Sequence, residues 1–96
     1  MTKESAIEKY LREQVKLRGG RAIKLDPTGN KGIPDRLVVL PGGHCSFVEL
    51  KRPVGGRLAP AQTRWIDWLI ETGQGIVVLS TKAEVDSFLG AYDAIS

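Results

Sequence analysis

Residues 35–51 read DRLVVLPGGHCSFVELK, and this stretch decides the fold because it predicts two adjacent strands. The apolar run within Arg36–Leu40 is typical of a buried strand. The Pro-Gly-Gly sequence at 41–43 predicts a turn, and His44–Lys51 predicts a second strand that pairs with the first. A hairpin therefore forms the centre of the predicted fold.

Helix and strand candidates continue on both sides of this hairpin. Ile7, Leu11 and Val15 recur at helical spacing and predict an amphipathic first helix. The elements and loops outside the hairpin are predicted at about Lys3–Arg18 (helix), Arg21–Leu25 (strand), 26–34 (loop), Arg52–Pro60 (basic, Gly-rich loop), Pro60–Thr72 (helix), Gly75–Ser80 (strand) and Thr81–Ala94 (helix). This αβββαβα order predicts an α/β protein with a mixed four-stranded sheet flanked by helices.

Length and composition narrow the class of protein. The 96 residues, 42% of them hydrophobic, predict one globular domain over residues 1–96. A single cysteine and a single histidine exclude an intrachain disulfide and disfavour a Cys/His zinc site. The net charge of +3 is a weak indication of a polyanionic partner. Because we find neither a membrane-length apolar run nor a signal-peptide pattern, we expect a cytoplasmic protein without membrane contact.

Three ionisable side chains of the hairpin are expected to meet at one edge of the sheet. Glu49 and Lys51 are two residues apart on one strand, so their side chains leave the same face with Cα atoms roughly 6.5 Å apart. Pairing across the turn brings Asp35 close to them. Two neighbouring carboxylates repel, so either one takes up a proton or a cation joins them. A hard divalent cation prefers such oxygen ligands and, with Lys51 beside it, could promote phosphodiester hydrolysis.

The residues that carry this chemistry also resemble a known signature. Pro34-Asp35 followed by Glu49-Leu50-Lys51 resembles the PD-(D/E)xK nuclease motif. The fuller pattern, Gly32–Arg36 with Glu49–Lys51 and Gln62, resembles the VRR-NUC (virus-type replication-repair nuclease) family over about residues 4–80. The resemblance implies a stand-alone member with a restriction-endonuclease-like core. It also implies cleavage of branched or flapped DNA, such as a Holliday junction, by a homodimer that uses Mg²⁺ or Mn²⁺.

The resemblance further implies roles for individual residues. The implied catalytic residues are Asp35, Glu49, Lys51, Glu8 and Gln62, and the implied metal ligands are Asp35, Glu49, Leu50 and Glu8. Most of these residues also have alternative explanations. Asp35 could begin a strand after Pro34 and accept a turn hydrogen bond, and Glu49 with Lys51 could form a solvated strand face with a weak mutual ion pair. Glu8 also fits the third position of a capping box that begins at Ser5, and Gln62 also fits an ordinary polar residue in a first helical turn.

Basic residues around the acidic centre are candidate phosphate contacts. The predicted DNA-binding residues are Lys31, Arg36, Arg52, Arg57 and Arg64. Plain surface charge remains the alternative for any one of them. Trp65 and Trp68 share a helix with other apolar residues and are interpreted as core or dimer contacts rather than as base-stacking groups. Two competing functions stay open, namely a non-catalytic DNA-binding module on a nuclease-like scaffold and a phosphodiesterase for RNA or small nucleotides.

Overall fold

The computed structural model describes residues 4–52 and 54–96, so the predicted helix start at Lys3 lies outside the described residues. The elements are α1 (Ala6–Leu17), β1 (Arg21–Lys24), β2 (Arg36–Leu40), β3 (His44–Leu50), α2 (Pro60–Glu71), β4 (Ile76–Leu79) and α3 (Lys82–Ile95). The αβββαβα order confirms the prediction. Within the described residues, we find no helix with the length and apolar character needed to cross a membrane.

The four strands form one mixed sheet in the order β1-β2-β3-β4. The β1–β2 and β2–β3 pairs are antiparallel, whereas β3 and β4 are parallel and are joined by α2. Arg36 pairs with Val48, so the start of β2 and the end of β3 lie at the same end of the sheet. This register brings Asp35, directly before β2, beside Glu49 near the end of β3.

One face of the sheet carries the main hydrophobic core. Alternate residues of the strands, including Val38 and Val48, are fully buried against α1 and α3. Leu11 and Val15 supply the buried stripe of α1, as their spacing predicts. Since side chains alternate along a strand, Glu49 faces away from this core and toward α2.

Two helix starts are defined by side-chain caps. The Ser5 hydroxyl accepts a hydrogen bond from the Glu8 backbone N–H at 3.2 Å, so α1 begins at Ala6. Thr81 and Glu84 form a reciprocal capping box at the start of α3. Both caps lie at the end of the sheet that carries Asp35 and Glu49, and they fix where α1 and α3 begin beside it.

Gly32 lets the loop before β2 approach the start of α2. Its φ is +90°, and an added Cβ would lie 2.5 Å from the Ala61 carbonyl group. Backbone atoms cannot move away as a flexible side chain can, so we predict that Gly32→Ala lowers the free energy of unfolding by about 2 kcal/mol or more. Gly29 is the matched control, because its φ is also positive (+76°) but no described atom lies within 4 Å of the added Cβ.

Urea denaturation of the two glycine variants measures this difference. For Gly29→Ala we expect a loss of about 1 kcal/mol from backbone strain alone. Equal losses in the two variants would contradict the close packing of this loop against α2.

Candidate active site

Glu49 is a buried carboxylate, with only 2% of the residue exposed. The Gln62 side-chain amide donates a hydrogen bond to Glu49 Oε1 at 2.9 Å. The other end of the Gln62 amide accepts the Ala59 backbone N–H at 2.7 Å, which ties the start of α2 to β3. Within residues 4–52 and 54–96, Glu49 Oε2 has no hydrogen-bond partner. A buried oxygen without a hydrogen-bond partner lowers the stability of the folded state unless a proton or a cation binds to it.

Asp35 supplies the second carboxylate of the site. The Leu50 backbone N–H donates to Asp35 Oδ2 at 2.8 Å, which holds this side chain across the β2–β3 pair. Burial, together with the negative charge of Asp35, raises the pKa of Glu49 to about 8. The structure therefore brings together Asp35 and Glu49, as the hairpin register predicts, and adds Gln62 as the residue that orients Glu49.

The acidic pair, defined as Asp35 and Glu49, fits a hard divalent cation. It offers carboxylate oxygens, one of them buried and without a protein partner. Among the described residues, no group of three His, Cys, Asp or Glu side chains converges. A cation at this pair would therefore take two carboxylates from the protein and complete its shell with other oxygen atoms, which is the usual mode of Mg²⁺ binding.

Glu8 lies close to this site but is held by a different partner. The Arg36 guanidinium donates to Glu8 Oε2 at 3.1 Å. Glu8 lines the same cavity as Asp35 without forming a three-carboxylate group with the acidic pair. Its position at the start of α1 matches the capping alternative, although its carboxylate turns to Arg36.

Arg36 requires a correction of the sequence prediction. We expected it to contact DNA, but the structure buries it to 7% exposure. Its guanidinium also donates to Glu4 Oε2 at 3.0 Å and to the Ala22 carbonyl oxygen at 3.0 Å. Because protein acceptors bind this buried guanidinium, Arg36 is not available to contact DNA. Glu4 lies before α1 and Glu8 lies in its first turn, so their sequence spacing gave no signal that Arg36 is their shared partner.

A cavity of about 620 Å³ opens beside the acidic pair. Its lining consists of Asp35, Leu50, Lys51, Arg52, Ser5–Glu8 at the start of α1, and Ser80–Lys82 at the start of α3. Helix N-termini carry partial positive charge, so two of them with the side chains of Lys51 and Arg52 make this cavity suitable for an anion. The Lys51 backbone N–H donates to the Leu79 carbonyl at 3.1 Å, which fixes the chain at the mouth of the cavity.

The other basic candidates remain on the surface. Lys31, Arg57 and Arg64 are exposed, as Arg52 is. Lys31 and Arg64 line a second, smaller cavity together with Trp65 and Trp68, which lie about one turn apart in the helix α2. Trp68 is 53% exposed, so the interpretation of this residue as a core contact is wrong. An aromatic residue on the sheet-distal side of a helix carries the same apolar sequence signal as one that faces the core.

The raised pKa of Glu49 leads to a prediction for the metal-free protein. Between pH 4.5 and about 8 the folded state holds a proton that the unfolded chain has already lost. The resulting stabilisation is complete at the acidic end and is lost as the pH rises through the folded-state pKa. We therefore expect the free energy of unfolding in EDTA to fall by roughly 2 kcal/mol from pH 5 to pH 8.

Urea denaturation at a series of pH values measures this fall. Addition of Mg²⁺ at pH 8 is expected to restore the stability, because a bound cation replaces the proton. A free energy of unfolding that stays constant between pH 5 and pH 8 would contradict the proposed electrostatic repulsion between the two carboxylates.

Known proteins share both the sequence and the fold. A protein named "Putative nuclease p44", from Acyrthosiphon pisum secondary endosymbiont phage 1, is 40% identical over 91 residues, which cover 95% of this chain and 96% of that protein. A solved structure described as a VRR-NUC domain is similar with a TM-score of 0.85 at 34% identity, over 96% of this chain and 99% of that chain. The chain belongs to the VRR-NUC family. No family model matches the chain.

The VRR-NUC assignment confirms the family and the fold class predicted from the sequence. The mixed sheet and the three helices match the solved VRR-NUC domain along nearly their whole length. Both the family and the phage relative support a nuclease. The roles of the individual residues in this VRR-NUC chain stay predictions, and the geometry of the acidic pair provides the means to test them.

Proposed function

We propose that this VRR-NUC protein is a Mg²⁺- or Mn²⁺-dependent endonuclease that hydrolyses phosphodiester bonds of DNA. The observation that carries the proposal is the buried acidic pair, in which Glu49 Oε2 has no partner among the described residues. The cavity beside this pair, to whose lining Lys51 and Arg52 contribute, offers a place for a phosphate group. The nuclease name of the phage relative adds support.

In this proposal each residue of the site has a distinct task. Asp35 and Glu49 would hold the cation, with the Leu50 carbonyl as a further predicted ligand. When bound, the cation supplies positive charge to a phosphate oxygen and lowers the pKa of a water molecule. Gln62 and the Leu50 N–H keep the two carboxylates in position through the hydrogen bonds described above.

Residues around the acidic pair would act on the substrate or on the charge of the site. The Lys51 ammonium at the cavity stabilises a hydroxide nucleophile or the charge that grows on the phosphate. Arg52 lies at the same cavity and can contact a neighbouring phosphate. Glu8 is predicted to assist the metal centre, and the hydrogen bond from Arg36 holds its carboxylate in place.

We further propose that the substrate is branched or flapped DNA and that the active form is a homodimer. Resolution of a four-way junction requires one cut on each of two strands. One chain supplies one acidic pair, so a symmetric dimer provides the two centres. The exposed basic residues Lys31, Arg57 and Arg64 are candidates for contacts with the flanking phosphates.

A cleavage assay with matched substrates tests this function. Labelled four-way junction, flap and duplex DNA, and an RNA form of the flap, are incubated with protein in Mg²⁺, Mn²⁺ or EDTA. We expect metal-dependent cuts in the junction and the flap. A folded, metal-loaded sample that cuts none of them would contradict the enzyme proposal, and salt-sensitive binding alone would support the DNA-binding module. Equal rates on DNA and RNA would favour the broader phosphodiesterase.

A further inference from the structure

A second cavity on the surface of α2 presents aromatic rings to solvent. It has a volume of about 290 Å³ and is lined by Lys31, Ala61, Arg64, Trp65 and Trp68. The two indole rings are perpendicular, with their centroids 5.8 Å apart. Trp68 is half exposed although tryptophan is among the most costly side chains to leave in water. This cavity, here called the tryptophan pocket, is therefore a candidate for a ligand with an apolar face.

Contacts within the protein hold the rings of the tryptophan pocket in place. Trp65 Nε1 donates a hydrogen bond to the Lys31 carbonyl oxygen at 3.0 Å, which connects α2 to the loop before β2. The same loop is seated against Ala61 through the close approach of Gly32. Trp68 packs edge to face on the fixed ring of Trp65. Since the rings are already ordered, a ligand that stacks on them loses little additional entropy on the protein side.

The charges of the residues that line the tryptophan pocket indicate which class of ligand it can bind. Lys31 and Arg64 are both exposed, and none of the described lining residues is acidic. A nucleotide matches this lining, because its base can stack on indole while its phosphate contacts the two cations. A second copy of the chain placed face to face on this pocket would instead bring four cations together, which disfavours that partner.

The tryptophan pocket also lies directly beside the acidic pair. Gln62, which bonds to Glu49, is the neighbour of Ala61 and stands one helical turn before Trp65. Residues at this spacing on a helix have Cβ atoms about 5–6 Å apart, so the pocket and the residue that orients Glu49 are neighbours on α2. A base that stacks in this pocket must lack a stacking neighbour on that face, which is true of an unpaired base in a flap and not of a base inside a duplex.

We infer that Trp65, Trp68, Lys31 and Arg64 bind an unpaired nucleotide of the DNA strand close to the scissile phosphate. The inference rests on the proposed nuclease function and deepens it by naming the feature of the substrate that is recognised. Flaps contain unpaired bases, whereas continuous duplex does not. The tryptophan pocket thereby provides a physical reason for selectivity toward flapped DNA.

Intrinsic fluorescence tests this site directly. The chain contains two tryptophans, both in the pocket, so a change in tryptophan emission on DNA binding reports this site alone. Full-length protein in EDTA is titrated with a short single-stranded oligothymidylate and with a duplex of equal length. We expect stronger quenching by the single strand. Trp68→Ala is expected to weaken single-strand binding, measured by anisotropy of a labelled oligonucleotide, by about tenfold or more.

Three further variants control this experiment. Ile70→Ala removes an apolar side chain that is 61% exposed on the same helix, outside the pocket, and should leave the affinity unchanged. Trp68→Phe keeps an aromatic face and should retain most of the affinity. Arg64→Glu replaces an exposed cation and should weaken binding as Trp68→Ala does. Circular dichroism and urea denaturation establish that each variant is folded.

Two outcomes would overturn the inference. In the first, Trp68→Ala binds the oligonucleotide as tightly as Ile70→Ala does. In the second, Trp68→Ala turns a dimer into a monomer in sedimentation while its affinity for single strands is unchanged, which would make the pocket an interface between copies. The binding assay contains no metal, so it tests the pocket independently of the proposed nuclease function. Quenching without cleavage would contradict only the function, and cleavage that Trp68→Ala leaves equally selective for flaps would contradict only the pocket.

Discussion

Glu49→Gln is expected to be more stable than the unmodified protein in EDTA at pH 8 and at least about a thousandfold slower in DNA cleavage. The substitution keeps the shape of the side chain and removes its charge, so the electrostatic repulsion by Asp35 and the desolvation cost of a buried charge disappear. The same change removes a ligand of the proposed cation. A cation that stabilises the transition state by several kcal/mol accounts for a thousandfold loss of rate, since each tenfold change in rate corresponds to about 1.4 kcal/mol.

Three measurements test the Glu49 variant. Urea denaturation in EDTA gives its stability, calorimetric titration with Mg²⁺ and Mn²⁺ gives its metal affinity, and single-turnover cleavage of a flap gives its rate. Glu71→Gln is the matched control, because Glu71 is an exposed carboxylate at the end of α2. Metal uptake equal to that of the unmodified protein, or a loss of stability at pH 8, would contradict the role of Glu49 in a cation site.

Lys51→Ala is expected to slow cleavage by about a hundredfold while DNA affinity changes by less than about threefold. Lys51 lines the cavity that Asp35 also lines, where its ammonium group can stabilise charge that develops only in the transition state. Groups that act in this way affect the rate far more than the binding of the ground state. The side chain is exposed and its backbone N–H still bonds to Leu79, so we expect the fold to be retained.

Single-turnover rates at saturating DNA, together with binding isotherms in EDTA, separate these effects for Lys51. Lys16→Ala removes an exposed ammonium from the last turn of α1, away from the cavity, and serves as the control. An unchanged rate would remove Lys51 from the mechanism. A large loss of DNA affinity with a normal rate at saturation would instead make Lys51 a phosphate contact.

The acidic pair and Arg36 show which parts of a site can be predicted from local pattern. Asp35 and Glu49 are linked by a hairpin, so their proximity follows from the turn and the strand register. Arg36 is adjacent to Asp35 in the chain, yet its surroundings depend on α1, which packs over the start of β2. A charge count cannot distinguish a buried arginine from one that faces DNA.

The sequence by itself determined the order of elements, the hairpin and the meeting of Asp35 with Glu49. These features depend on hydrophobic period, turn residues and strand pairing, which are interactions between near neighbours in the chain. Only the tertiary structure decided that Arg36 is buried with Glu8, that Gln62 orients Glu49 and that Trp68 faces solvent. Those outcomes depend on how whole helices dock on the sheet, and the free energy of that docking is shared among many distant side chains.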